Sequence, residues 1–114
     1  MNLFFTLLFG ALLLTACSPN YDSFAKCLSE KNTLMYGASW CPHCQAQKEK
    51  FGSSVEYINY IECAVPSNPS KQTAACEKAN ITGYPTWVFE NNERMSGEVS
   101  FEVLKEKSGC ALPQ

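Results

Sequence analysis

The chain opens on an apolar run, Leu3 to Leu14, interrupted only by Thr6 and Gly10. After a short polar stretch the pattern changes to that of a folded domain. Tyr21, Phe24, Ala25 and Leu28 fall on one face of a helix over Tyr21 to Lys31, with Asn20 or Asp22 as N-cap. Thr33 to Ala38 is a short apolar run of the kind that forms a buried strand. Behind Cys41 a polar stretch of helical character runs to Phe51 and is closed by Gly52. Val55 to Cys63 is β-branched and aromatic and predicts a second strand. Ala64 to Ser70, with Pro66 and Pro69, predicts a loop, and Lys71 to Asn80 a helix capped by Ser70. Gly83, Tyr84 and Pro85 break that helix. Thr86 to Glu90 and Glu93 to Gly97 predict a hairpin turning at Asn91-Asn92. Ser100 caps a last helix, with Val99 and Leu104 as its hydrophobic staple and Gly109 at its end.

From Thr33 the order is strand, helix, strand, helix, strand, strand, helix. Two strands joined by a helix are parallel with a right-handed crossover, and the last two form a hairpin. The expectation is an α/β domain: a mixed four-stranded sheet with helices on both faces. The apolar stretches Leu34-Met35-Tyr36 and Thr86-Trp87-Val88-Phe89 suit strands buried on both faces.

The first apolar run is too short for a comfortable membrane span, which needs about 20 residues. It suits the core of a signal peptide. It ends in Leu14-Thr15-Ala16-Cys17, which resembles the lipobox of bacterial lipoproteins. That resemblance implies cleavage before Cys17 and acylation of its sulfur. The expected organisation is a signal peptide over residues 1–16, a linker over 17–20 and one domain over 21–114. No Lys or Arg precedes the apolar core, so plain secretion or an uncleaved anchor is the alternative. With 114 residues there is room for one small domain. A net charge of −2, without any basic run, argues against a nucleic-acid partner. Seven cysteines point to an oxidising compartment, and lipidation of Cys17 would leave an even six.

The chemistry centres on Cys41-Pro42-His43-Cys44 at a strand-to-helix junction. At a helix N-terminus, free backbone N–H groups and the helix dipole favour the thiolate, the form that attacks disulfides. Cys44 lies one turn on, on the same face, where it can resolve a mixed disulfide. Pro42 fits the first turn because its missing N–H costs nothing there. His43, the only histidine, can donate a hydrogen bond or a charge to Cys41, stabilising the reduced form and making the disulfide more oxidising. Blander alternatives stand beside this reading. The pair could be half of a zinc site or an inert disulfide, and His43 an exposed turn residue. No compact second pair of ligands accompanies it, so neither a metal nor a cofactor is expected.

Trp40-Cys41-Pro42-His43-Cys44 resembles a thioredoxin-superfamily active site, in the Cys-Pro-His-Cys version of the periplasmic oxidant DsbA. Tyr84-Pro85-Thr86 resembles the cis-proline loop of that superfamily, 41 residues from Cys44 to Pro85. The stretches MYGASWCPHCQAQKEKFG, YIEC, ITGYPTW and SGC are similar to the thioredoxin-like domain fused to bacterial homologues of vitamin K epoxide reductase. The resemblance runs from about Phe24 to Cys110 and implies a thioredoxin-like fold. It implies a cis Pro85 that sets the Tyr84 backbone beside Cys41. Trp40, Tyr84, Pro85 and Thr86 would then shape the substrate-binding surface. An ordinary trans proline and a plain packing tryptophan are the alternatives. One position departs from thioredoxin, which carries a buried acid six residues before its first active-site cysteine; Met35 stands there in this chain. That departure disfavours efficient reduction of substrates.

Four cysteines remain. Six cysteines allow fifteen pairings. The pairing we favour is catalytic Cys41–Cys44 with structural Cys63–Cys76 and Cys27–Cys110; Cys63–Cys76 as a redox relay is the alternative. The function expected is a thiol–disulfide oxidoreductase outside the cytoplasm, at the membrane through a lipid anchor or secreted. It would oxidise or isomerise exported proteins, coupled to a quinone-linked partner of the vitamin K epoxide reductase or DsbB type. A thiol reductase, for example in cytochrome maturation, and a non-catalytic binding lipoprotein on the same fold are the alternatives.

Overall fold

A central strand, β1 (Leu34–Gly37), organises the domain. In the computed structural model, which describes residues 19–114, β1 pairs in parallel with β2 (Asn59–Glu62) on one side. On the other side it pairs antiparallel with β5 (Thr86–Val88), which pairs antiparallel with β6 (Arg94–Ser96). The sheet order is β2-β1-β5-β6. The apolar leader, the lipobox and Cys17 lie outside the described residues. Among the described residues no helix is long and apolar enough to cross a membrane.

Helices cover both faces, and strand alternation decides which residues meet which helix. Met35 and Trp87 are direct partners across β1 and β5 and share the larger core with Phe24, Leu28, Phe51 and Leu104. Those four come from α1 (Asp22–Glu30), α2 (Pro42–Phe51) and α4 (Phe101–Ser108). The rings of Phe24, Phe51 and Phe101 pack mutually, with centroids 4.7–6.3 Å apart. Tyr36 and Ile61 point the other way, into a smaller core with Cys63, Cys76 and Ile81 under α3 (Ala74–Lys78). The mixed sheet with helices on both faces is therefore as the hydropathy pattern predicts.

Several boundaries differ. Only Asn59–Glu62 of the Val55–Cys63 run is strand; Gly52–Tyr57 forms 3-10 turns. Gly52 starts them at φ +56°, a conformation that suits glycine. Ser54 then bonds Asp22 of α1 (Oγ–Oδ1, 2.6 Å), which holds the turns against that helix. The Ala64–Ser70 segment is not a simple loop. Ala64–Val65 (β3) and Asn68–Gln72 (β4) make a small separate antiparallel ribbon, which Pro69 tolerates at an exposed edge. The following helix shortens to Ala74–Lys78 and starts after Thr73 rather than Ser70. Around α1, the Asn20 side chain accepts from the Asp22 N–H at 2.8 Å. Ser100 accepts from the Val103 N–H at the head of α4, and Gly109 ends that helix at φ +77°.

Two disulfides fasten this frame. Cys27 in α1 is joined to Cys110 just past α4, and Cys63 after β2 to Cys76 in α3. Cys41 and Cys44 are free thiols.

Candidate active site

Cys41 is the N-cap of α2 in extended conformation (φ −82°, ψ 119°), with Pro42 in the first turn. The chain leaves β1 at Gly37 and reaches α2 through a turn closed by the Cys41 N–H donating to the Ala38 carbonyl at 3.0 Å. Cys41 is 7% exposed, and Cys44 one turn deeper is 1% exposed. Burial pushes the Cys44 thiol up to about 11, although a backbone contact to Ala38 and the charge of Lys48 work the other way. The two thiols thus differ in access: Cys41 is the reachable one and Cys44 sits behind it.

The Tyr84–Pro85 peptide bond is cis. The loop brings the Tyr84 carbonyl to 3.7 Å from Cys41 Sγ. The Thr86 hydroxyl donates to the Gly83 carbonyl at 2.7 Å and closes the loop from inside. Tyr84 is held by Gln72, whose Nε2 donates to the tyrosine hydroxyl and to the Ile81 carbonyl, each at 2.8 Å. Trp40 is 53% exposed and stands edge-on to Tyr84, with ring centroids 5.9 Å apart. Its Nε1–H donates to the Pro69 carbonyl at 3.0 Å, and an open hollow lies between Trp40, Pro69 and Ser70. Tyr84 thus contacts Cys41, and Trp40 links Tyr84 to the ribbon β3–β4, while Thr86 lies buried behind the loop, bonded to Gly83.

His43 turns away from the buried thiol. Its Nδ1 lies 2.9 Å from Glu98 Oε2, and Lys50 Nζ approaches Glu98 Oε1 at 3.8 Å. The His43 hydrogen bond and the Lys50 charge hold the Glu98 carboxyl below the usual carboxylate range. Met35, in the position where thioredoxin carries its acid, is fully buried.

Other members of the site carry no local signal in the sequence. Gly37 is one: a Cβ there would lie 2.8 Å from Tyr60 Cε2 and 3.0 Å from Cys44 Sγ, so a larger residue would displace the thiol. Tyr60 and Glu62 are two more, brought alongside by the parallel register that sets Tyr60 beside Met35 and Glu62 beside Gly37. Glu98 and Gln47 complete the set. The Gln47 Oε1 accepts from the Val99 N–H at 2.7 Å and the Trp87 Nε1–H at 3.2 Å, while its Nε2 donates to the Val99 carbonyl at 3.0 Å. A polar residue inside an apolar core looks out of place in a one-dimensional pattern; in the fold it fixes α2 to the start of α4. Among the described residues no three His, Cys, Asp or Glu side chains gather as a metal site would need.

The arrangement can perform thiol–disulfide exchange: one reachable sulfur at a helix N-terminus, one resolving sulfur behind it, and the Tyr84 backbone carbonyl beside the first. Comparison with known proteins agrees. A family model described as Thioredoxin matches residues 15–108. The chain is also 40% identical over 104 residues to a "Thiol-disulfide oxidoreductase LTO1" of Arabidopsis thaliana. That match covers 88% of this chain and 27% of the plant protein, so the chain spans about a quarter of its relative's length. The family match takes in the Cys-x-x-Cys helix, the Tyr84–Pro85 loop and the whole sheet: the chain belongs to the thioredoxin family.

Proposed function

We propose that this chain introduces or rearranges disulfide bonds in exported proteins, outside the cytoplasm, and is re-oxidised by a quinone-linked membrane protein of the vitamin K epoxide reductase or DsbB type. The observation that carries this reading is the position of Cys41. It heads α2, with its Sγ 3.7 Å from the Tyr84 carbonyl and Cys44 buried behind it. An extended substrate can pair with the Tyr84 backbone while its sulfur meets Cys41.

In the oxidising direction a substrate thiolate attacks Cys41 Sγ of the oxidised pair; the Cys41–Cys44 bond breaks and Cys44 leaves with the electron pair. A second substrate thiolate then attacks the substrate sulfur of the mixed disulfide. It forms the substrate's own disulfide and releases reduced Cys41. Two electrons remain on the pair and pass to the membrane partner. Met35 supports this direction over reduction. An acid at that place would take the Cys44 proton when the dithiol attacks, and a buried thioether cannot.

The setting outside the cytoplasm is supported by two disulfides in a domain this small, which a reducing compartment would not maintain. Acylation at Cys17 would keep the domain at the membrane surface, within reach of both partners. Metabolic labelling with a radioactive fatty acid tests the anchor: label on the wild-type chain and none on Cys17→Ser is expected. Label on neither, with the protein in the medium, overturns it. For the activity, the purified mature domain in its disulfide form should oxidise a reduced, unfolded dithiol protein stoichiometrically. Failure to do so overturns the reading.

A further inference from the structure

Cys44 presents a difficulty for disulfide exchange. It must leave Cys41 as a thiolate, yet it is buried and its thiol is pushed up to about 11, mainly by that burial. A leaving thiolate of this kind departs slowly unless something stabilises its charge. The site contains a candidate, Lys48, four residues on from Cys44 and therefore on the same face of α2.

Lys48 does not extend freely into solvent. Its ammonium sits over the Tyr60 ring, 3.5 Å from the centroid. That ring lies beside the active site: Tyr60 Oη and Cys44 Sγ are 3.1 and 3.0 Å from the point where a Cβ on Gly37 would be. Tyr60 thus touches the same small space as the thiol and carries the ammonium on its face. Its own position is fixed by Glu62, whose Oε2 accepts from Tyr60 Oη at 2.5 Å. Glu62 is anchored in turn by backbone donors, Ser39 N–H at 2.8 Å and Ala64 N–H at 3.2 Å. Burial alone would raise the Glu62 carboxyl, but the bonds from Tyr60, Ser39 and Ala64 prevail and hold it below the usual range. A hydroxyl donating to a carboxylate enriches the ring, which strengthens its hold on a cation.

We infer that Lys48 is the countercharge of the Cys44 thiolate, positioned by Tyr60 as a platform and by Glu62 as the anchor of that platform. This rests on the exchange reading of the proposed function. It assigns to the neighbourhood of Met35 an electrostatic device that a buried acid would not provide: a cation that eases departure of Cys44 rather than a base that takes its proton. Among the described residues, the titratable and charged groups that act on Cys44 are Cys41 at the helix start and Lys48 on its own helix, with Tyr60 of β2 against the same space beside Gly37. His43 is directed to Glu98 instead.

The test uses the Cys41→Ser chain, in which Cys44 is the one free thiol among the described residues, and follows thiolate absorbance against pH. Adding Lys48→Met should raise the Cys44 midpoint by about one pH unit, a tenfold loss of thiolate below it. Lys48→Arg should restore it. With Cys41 intact, Lys48→Met should slow oxidation of a dithiol peptide by about three- to fivefold, by the same factor at every pH, because the leaving-group effect on the rate constant is fractional and independent of bulk pH. An unshifted Cys44 midpoint in the Lys48→Met chain overturns the inference. A parent chain that oxidises no dithiol peptide overturns the exchange reading instead, and the titration still reports on Lys48 by itself. Circular dichroism of each variant separates a loss of charge from a loss of fold.

Discussion

His43 Nδ1 lies 2.9 Å from Glu98 Oε2, so the only histidine of the chain, set between the two cysteines, is tied to the segment that leads into α4. The tie has a pH dependence of known sign. The Glu98 carboxyl is held low by the His43 bond and by Lys50, and the Glu62 carboxyl by the bonds that outweigh its burial. A carboxyl depressed in the folded state contributes stability above its ordinary value of 4.5, and that contribution is lost as pH falls through the folded value. Urea midpoints measured from neutral pH downwards should therefore fall off below the ordinary carboxylate range. The Glu62→Gln/Glu98→Gln chain should show a flatter decline; an identical decline would contradict the assignment.

The difference in access between the two thiols predicts different phenotypes for their removal. Cys41→Ser should abolish exchange. Cys44→Ser should still attack a disulfide-bonded substrate and then stall, accumulating a Cys41 mixed disulfide visible on non-reducing gels and by mass. Stable adducts through Cys44 in the Cys41→Ser chain would reverse the roles of the two cysteines.

Gln47 is fully buried and makes three hydrogen bonds that join α2 to Val99 and Trp87. Gln47→Leu fills a similar volume but leaves buried backbone and indole groups without partners. A loss of about 2–4 kcal/mol is expected from denaturant unfolding, with little change in m. A loss under about 0.5 kcal/mol would mean that water replaces the amide.

The two disulfides should contribute unequally. Cys27–Cys110 closes a separation of 83 residues and Cys63–Cys76 one of 13. On the chain-entropy account, removing the first as an alanine pair costs about 4–5 kcal/mol and the second about 3 kcal/mol. Calorimetry or urea titration of the two double variants ranks them, and the reverse order would contradict the entropic account.

What the sequence revealed and what it hid follow physical lines. The Cys41–Cys44 helix, the Tyr84–Pro85 break, the final hairpin and the Ser100 and Gly109 boundaries all rest on local chemistry: caps, turn residues, a motif at a junction. They are readable in one dimension. Val55 to Tyr57 was misleading because β-branched and aromatic residues suit a strand, whereas the turn at Gly52 and the Ser54–Asp22 bond hold them in 3-10 turns. The exposed ribbon β3–β4 has too few apolar residues to show a period. Lys48, Tyr60, Glu62 and Glu98 stayed hidden for another reason. Lys48 lies on the mostly polar α2, Tyr60 and Glu62 on β2 and Glu98 in the segment before α4, and only the β1–β2 register and the packing of α2 against the start of α4 bring them to the cysteines.

The reduction potential of the Cys41–Cys44 pair bears most directly on the oxidising role. Equilibrated against glutathione at neutral pH, the domain should give a value near the oxidising end of its family, toward about −120 mV. A value near −270 mV, about that of thioredoxin, would make the chain a reductant and contradict the account.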